Sequence, residues 1–125
     1  MSTNDEVDVP ALLSLLGSAV DSLVLRALAD AGLHGLRLGH GYVVQRLLVG
    51  PGTATEIAAA LGISQQAVSK AAGEMVRLGY ARVRPDPADR RRRALELTDR
   101  GRQAVEIGRR ARRLLAATTA PLPEE

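Results

Sequence analysis

The sequence predicts a mainly α-helical domain, α+β in class, of about five helices with one two-stranded β-hairpin after the fourth. Three observations predict it. Apolar residues recur every three or four positions in one segment after another. The period falls to two on both sides of a proline- and aspartate-rich stretch at 85–89. Asp, Thr or Ser opens most helical segments, and Gly follows their ends. At 125 residues the chain suits one domain, 1–125, whose core needs neither disulfide nor metal. It has no cysteine, which excludes disulfide frameworks, thiolate zinc sites and cysteine nucleophiles.

Asp8 can cap a first helix with Pro10 in its first turn. Leu12, Leu16, Val20, Leu23, Ala27 and Ala31 then repeat at helical spacing up to Gly32, which gives a helix over 9–31. Leu13, Leu15, Val24 and Leu28 widen its stripe beyond what one small neighbour covers, so this is either a central core helix or one that faces a second chain. Leu33 to Gly41 holds too many glycines for a helix interior and reads as a loop. A second helix runs from about His40 to Val49, stopped by Gly50-Pro51-Gly52.

Thr53-Ala54-Thr55-Glu56 has capping-box spacing and opens a helix from Ala54 to Leu61 that buries Ile57, Ala58 and Leu61. Gly62 ends it, Ile63 plugs the turn, and Ser64 caps the next helix. There Val68, Ala71, Ala72, Met75 and Leu78 face the core, while Gln65, Gln66, Ser69 and Lys70 point away. After Gly79, Ala81 and Val83 alternate with Arg82 and Arg84, and Leu95 and Leu97 alternate with Ala94 and Glu96. These are two antiparallel strands whose hairpin tip contains Pro85 to Asp89. Thr98 caps a last helix, about Asp99 to Thr118, with Ala104, Val105, Gly108, Ala111, Leu114 and Leu115 on its apolar side. A tail, 119–125, follows.

Two short helices joined by a tight glycine turn, over 53–79, form a helix-turn-helix, and the hairpin at 80–97 makes it winged. Such a second helix fits the major groove of duplex DNA, where short polar side chains reach base edges. Glutamine at 65 and 66 can pair twice with adenine, Ser69 with either base type, and Lys70 with guanine or phosphate; Ser64 sits at the cap of the same helix. Arg77 is better placed for phosphate. Charge is distributed accordingly: residues 1–63 carry a net −3 and residues 64–120 a net +8. That asymmetry suits a polyanion partner, although solvated arginines would produce it too.

Several segments resemble the multiple-antibiotic-resistance regulator (MarR) family in order and spacing, over roughly residues 36 to 105. They are Thr55-Glu56-Ile57-Ala58 through Leu61-Gly62-Ile63-Ser64, then Gln65 to Lys70, then Leu78-Gly79-Tyr80. The most specific are Asp86-Pro87-Ala88-Asp89-Arg90-Arg91 and Leu95-Glu96-Leu97-Thr98-Asp99-Arg100-Gly101. The resemblance implies a wing arginine in the minor groove, Arg91, held by an acid, Asp89. A narrow minor groove concentrates negative potential, which suits a guanidinium. Arg90, Arg92 and Arg93 then become phosphate contacts.

The resemblance also implies a transcriptional regulator, a repressor, that binds double-stranded DNA as a homodimer. Family members continue into a longer C-terminal helical region than this chain has. Either dimerisation uses Leu12, Leu16, Val20 and Leu23 against Leu114 and Leu115, or the association is weaker than is usual in the family. A small aromatic anion as effector would meet His34, Arg37, His40 and Tyr42. The alternative is a winged-helix protein-interaction module that does not bind DNA.

No enzyme, cofactor or metal site is expected. The two histidines have no clustered ligand, Gly39-His40-Gly41 lacks the preceding strand of a dinucleotide loop, and no carboxylate pair has catalytic spacing. The acidic start, with Asp5, Glu6 and Asp8, does not suit a secretory signal. The longest uncharged apolar run, Val9 to Val20, ends after 12 residues, short of the roughly 20 that cross a bilayer. The reading is a soluble, cytoplasmic protein with no membrane partner.

Overall fold

The structure is a computed structural model that describes residues 8–118. Its elements are α1 (Val9–Asp30), α2 (Leu38–Leu47), α3 (Ala54–Leu61), α4 (Gln65–Leu78), β1 (Ala81–Pro85), β2 (Arg93–Leu97) and α5 (Asp99–Thr118). This is the predicted winged helix-turn-helix; the tail at 119–125 lies outside the described residues.

Local chemistry sets most boundaries. The Asp8 carboxylate accepts from the Ala11 N–H at 3.1 Å and starts α1. Thr53 and Glu56 exchange the reciprocal bonds of a capping box, at 3.1 and 2.9 Å, and start α3. Ser64 Oγ accepts from the Ala67 N–H at 3.1 Å and starts α4. Gly62 and Gly79, at φ +68° and +86°, end α3 and α4 in the left-handed conformation that glycine adopts without a Cβ clash.

The second helix departs from expectation at both ends. It begins at Leu38, includes Gly39 and Gly41, and stops at Leu47. The predicted loop ran to Gly41 because glycine disfavours helix. That cost is offset where His40 Nδ1 accepts from the Arg37 N–H at 3.0 Å, satisfying a donor at the start of the helix.

β1 and β2 pair antiparallel from Ala81 opposite Leu97 to Pro85 opposite Arg93, so Pro85 closes the ladder instead of lying outside it. Gly52 exchanges two backbone hydrogen bonds with Leu95, at 3.0 and 2.8 Å, and ties the α2–α3 loop to β2. Only Ala81 of β1 is buried, whereas β2 buries Ala94 as well as Leu95 and Leu97. The expected alternation therefore fails: Val83 is 48% exposed and Ala94 lies inside.

Leu28, Val43, Leu47, Ile57, Val68, Met75, Tyr80, Leu97 and Val105 form the centre of one core. Ile63 is 44% exposed and Leu114 is 65% exposed, so Ile63 does not plug the turn as expected and Leu114 lies off the apolar side of α5. In α1 the face that meets the chain's own core is Val24, Leu25 and Leu28, not the Leu12–Leu16–Leu23 stripe. Gly108 of α5 is buried opposite this face, with Val24 Cγ1 within ordinary contact distance, 3.6 Å, of where a Cβ would stand. The central-core reading of α1 is thereby replaced by an uncovered apolar helix. At 22 residues and mean hydropathy 1.6, α1 is also long and apolar enough to cross a bilayer by those two measures, which the run ending at Asp21 had concealed.

The tightest junction joins α4, the hairpin and α5. Thr98 Oγ1 donates to the Gly79 carbonyl at 2.6 Å and accepts from the Gly101 N–H at 3.1 Å. The Thr98 N–H donates to the Tyr80 carbonyl at 3.1 Å. The Tyr80 hydroxyl donates to the His34 carbonyl at 2.7 Å, and the Arg100 guanidinium lies 4.8 Å from the Tyr80 ring centroid. A Cβ on Gly101 would collide with the Tyr80 carbonyl oxygen, a backbone atom that cannot rotate away. We therefore expect Gly101→Ala to destabilise the fold by about 1–3 kcal/mol or more in urea denaturation. Gly73→Ala, on an exposed part of α4 with nothing within 4 Å of the new methyl, should instead stabilise by roughly 0.5–1 kcal/mol.

Candidate nucleic-acid interface

The core-facing pattern of α4 orients its polar residues. Val68 and Met75 are buried and Ala71, Ala72 and Leu78 half-buried, so Ser64, Gln65, Gln66, Ser69 and Lys70 are exposed together at and beyond the helix start. Arg77 is exposed in the last turn, well away from them.

The hairpin tip is organised by two aspartates. Asp86 is buried; its N–H donates to the Arg92 carbonyl at 2.8 Å and its Oδ1 accepts from the Ala88 N–H at 3.2 Å. The Arg92 N–H donates to the Asp89 carbonyl at 2.9 Å, closing the turn. Asp89 Oδ1 then accepts from Arg91 N–H and Nε at 3.1 Å each, and Oδ2 accepts from Nη2 at 3.2 Å. These bonds from Arg91 hold the Asp89 carboxyl below its ordinary range. The Arg91 side chain is nevertheless 91% exposed, so the guanidinium is aimed but not covered.

The arginines at the tip are thus unequal. Arg90 is exposed, and Arg93 of β2 and Ser69 of α4 both border a cleft of about 330 Å³ between α4 and the hairpin. Arg92 turns inward, with Nε 3.6 Å from Asp86 and 3.7 Å from Asp89, so it holds the tip as well as lying near the surface. Sequence reasoning missed Asp86 in this role, although an aspartate before a proline is an available turn signal. It also missed Glu96, which accepts from Arg82 Nε at 2.9 Å and Arg84 Nη1 at 3.1 Å across the strands. Those bonds, Arg82's first, keep Glu96 below its usual carboxylate range.

Arg37, His40 and Tyr42 come together where a cavity of about 290 Å³ opens between α1, α2 and α5, with Asp21 and Arg112 also on its wall. His34 lies outside this group and gives its carbonyl to Tyr80. Leu12, Leu16 and Leu23 are exposed on α1 beside Leu13 and Leu15, Val20 is half-buried, and Leu114 and Leu115 lie near the end of α5.

A profile of the MarR family matches residues 34–92. A MarR-family transcription regulator of solved structure, SP03579, is 27% identical with TM-score 0.70 over 88% of this chain and 69% of its own. A MepR variant from S. aureus, solved bound to an oligodeoxyribonucleotide, is 20% identical with TM-score 0.70 over 95% and 87%. CouR from Rhodococcus jostii RHA1, solved bound to p-coumaroyl-CoA, is 23% identical with TM-score 0.68 over 98% and 85%. Comparison with curated proteins finds no match.

Two outcomes follow from the geometry. Asp86→Ala should release the tip, so that backbone amides in 86–92 exchange about tenfold faster while amides of α4 keep their protection. Burial, the largest effect on His40, lowers its pKa below 6.5, helped by Arg37 and opposed by Glu74. The unfolded chain therefore binds the proton first as pH falls, and stability should decline from pH 6.5 toward the folded-state value. Thermal melts should show this component in the wild type and lose it in His40→Gln.

Proposed function

We propose that the chain is a MarR-family, sequence-specific repressor that reads a pseudo-palindromic DNA site as a homodimer, a reading that the profile match over residues 34–92 supports. The observation that carries this reading is the pairing of an uncovered polar helix face, Gln65 to Lys70, with an exposed Arg91 that Asp89 pre-aims. Gln65, Gln66 and Ser69 offer short donors and acceptors to base edges in the major groove. Arg91 enters the adjacent minor groove, while Arg77, Arg90, Arg93 and part of Arg92 meet phosphates. A role on DNA supports a cytoplasmic location.

The dimer in this proposal uses the uncovered leucines of α1. An apolar face this long is costly to leave in water, and a second copy covers it while presenting two α4 helices to half-sites about 10 base pairs apart. The cavity beside Arg37, His40 and Tyr42 suits a small aromatic anion, with Arg112 on its wall to meet its charge. That CouR was solved with p-coumaroyl-CoA supports such an effector.

Selection of bound sequences from a random duplex pool tests the reading. The expected result is enriched two-fold-symmetric sites, with affinity that falls steeply as salt rises. On such a site Arg91→Ala should cost about 1–3 kcal/mol of binding, and Gln66→Ala or Ser69→Ala should also relax base preference. Wild-type affinity in all three would overturn the assignment. Leu16→Glu should shift the sedimentation coefficient toward a monomer. A stable complex with a different protein, together with no DNA binding, would favour an interaction module instead.

A further inference from the structure

We propose that His40 is a proton-operated catch between α2 and α4, the helix that carries Gln65 to Lys70. His40 is 2% exposed, in the first turn of α2. Because Nδ1 accepts from the Arg37 N–H at 3.0 Å, the neutral ring must carry its proton on Nε2. Among the described residues that buried donor has no hydrogen-bond partner. Glu74 Oε2, on α4, stands 3.7 Å away, and the same oxygen is engaged by the Arg37 guanidinium. One carboxylate of α4 is thus contested by His40 of α2 and by Arg37, which caps that helix, and Arg37 holds it.

A second proton reverses the balance. It must go on Nδ1, where it points at the Arg37 N–H, donor against donor, and removes the bond that starts α2. It also places a buried cation at a helix N-terminus, which the helix dipole disfavours. Relief comes from Glu74: a charged Nε2–H draws the carboxylate from Arg37, which is largely exposed and free to swing into water. The other charged groups bordering His40's surroundings are Lys70 of α4 across the groove, and Asp21 of α1 and Arg112 of α5 across the cavity. From α3 and its following turn only apolar Leu61 and Ile63 border that groove. Glu74 lies one turn beyond Lys70, so its displacement acts on the reading face of α4. The link to DNA rests on the proposed function; the catch does not.

The chain has two histidines, so ¹⁵N NMR of the full protein resolves the ring directly. At neutral pH His40 should be the Nε2–H tautomer. On acidification it should titrate below the ordinary value of about 6.5, and the amides of Arg37 to His40 and of Lys70 to Glu74 should shift with the same midpoint. Glutamine at the third helical position also accepts from the residue that starts a helix. His40→Gln therefore keeps α2 capped and should abolish the coupled shift. On a random-sequence duplex, wild-type affinity relative to His40→Gln should fall about fivefold between about pH 7.5 and about pH 5.5. Amides of α4 that ignore the His40 midpoint, or that shift equally in His40→Gln, would overturn the catch. Absent DNA binding by both proteins at every pH, with the NMR coupling intact, would overturn the proposed function while supporting the catch.

Discussion

The approach of the chain to itself at Tyr80, Thr98 and Gly101 is the constraint on which the remaining geometry depends. One hydroxyl, Thr98 Oγ1, both receives the Gly101 N–H in the first turn of α5 and satisfies the carbonyl that ends α4. Each such bond contributes only about 1 kcal/mol net, but together they place the end of α4, the root of β1, the end of β2 and the start of α5 within one side chain's reach. Tyr80 adds a fourth direction, since its ring is fully buried and its hydroxyl holds the loop before α2. The absence of a side chain at Gly101 is what permits this closeness.

Elements determined by local chemistry were legible in the sequence. The starts of α3, α4 and α5 follow from threonine and serine hydroxyls and the ends of α3 and α4 from left-handed glycines, which act within four residues and leave a signature in residue type. The helix-turn-helix and its hairpin could therefore be assembled from spacing. The start of α2 could not, because its capping acceptor is an imidazole, which is not a usual residue for that position, among glycines that argue against helix.

What required the third dimension was the choice among apolar faces and among charges. α1 is apolar around much of its circumference, so periodicity identifies a helix but not the side its own chain covers. The covered side is Val24, Leu25 and Leu28. The Asp89–Arg91 pair, two residues apart, was readable. Arg92 looked like its neighbours until the turn placed it against the buried Asp86. Glu74, Arg37 and His40 are adjacent only because α2 crosses α4, and Glu96 meets two arginines only through the strand register.

The two bonds between Gly52 and Leu95 give the hairpin a second attachment, remote from its root at Tyr80. A hairpin held at its root alone would swing about that point, and its tip would follow whatever surface it met. Fastened also to the loop that precedes α3, it keeps a set offset from α4 and behaves as one jaw of a caliper whose other jaw is the helix. A caliper measures spacing: in the proposed complex with DNA, that offset would favour duplexes whose twist and groove width already match it, and would discriminate against others at base pairs the protein never touches.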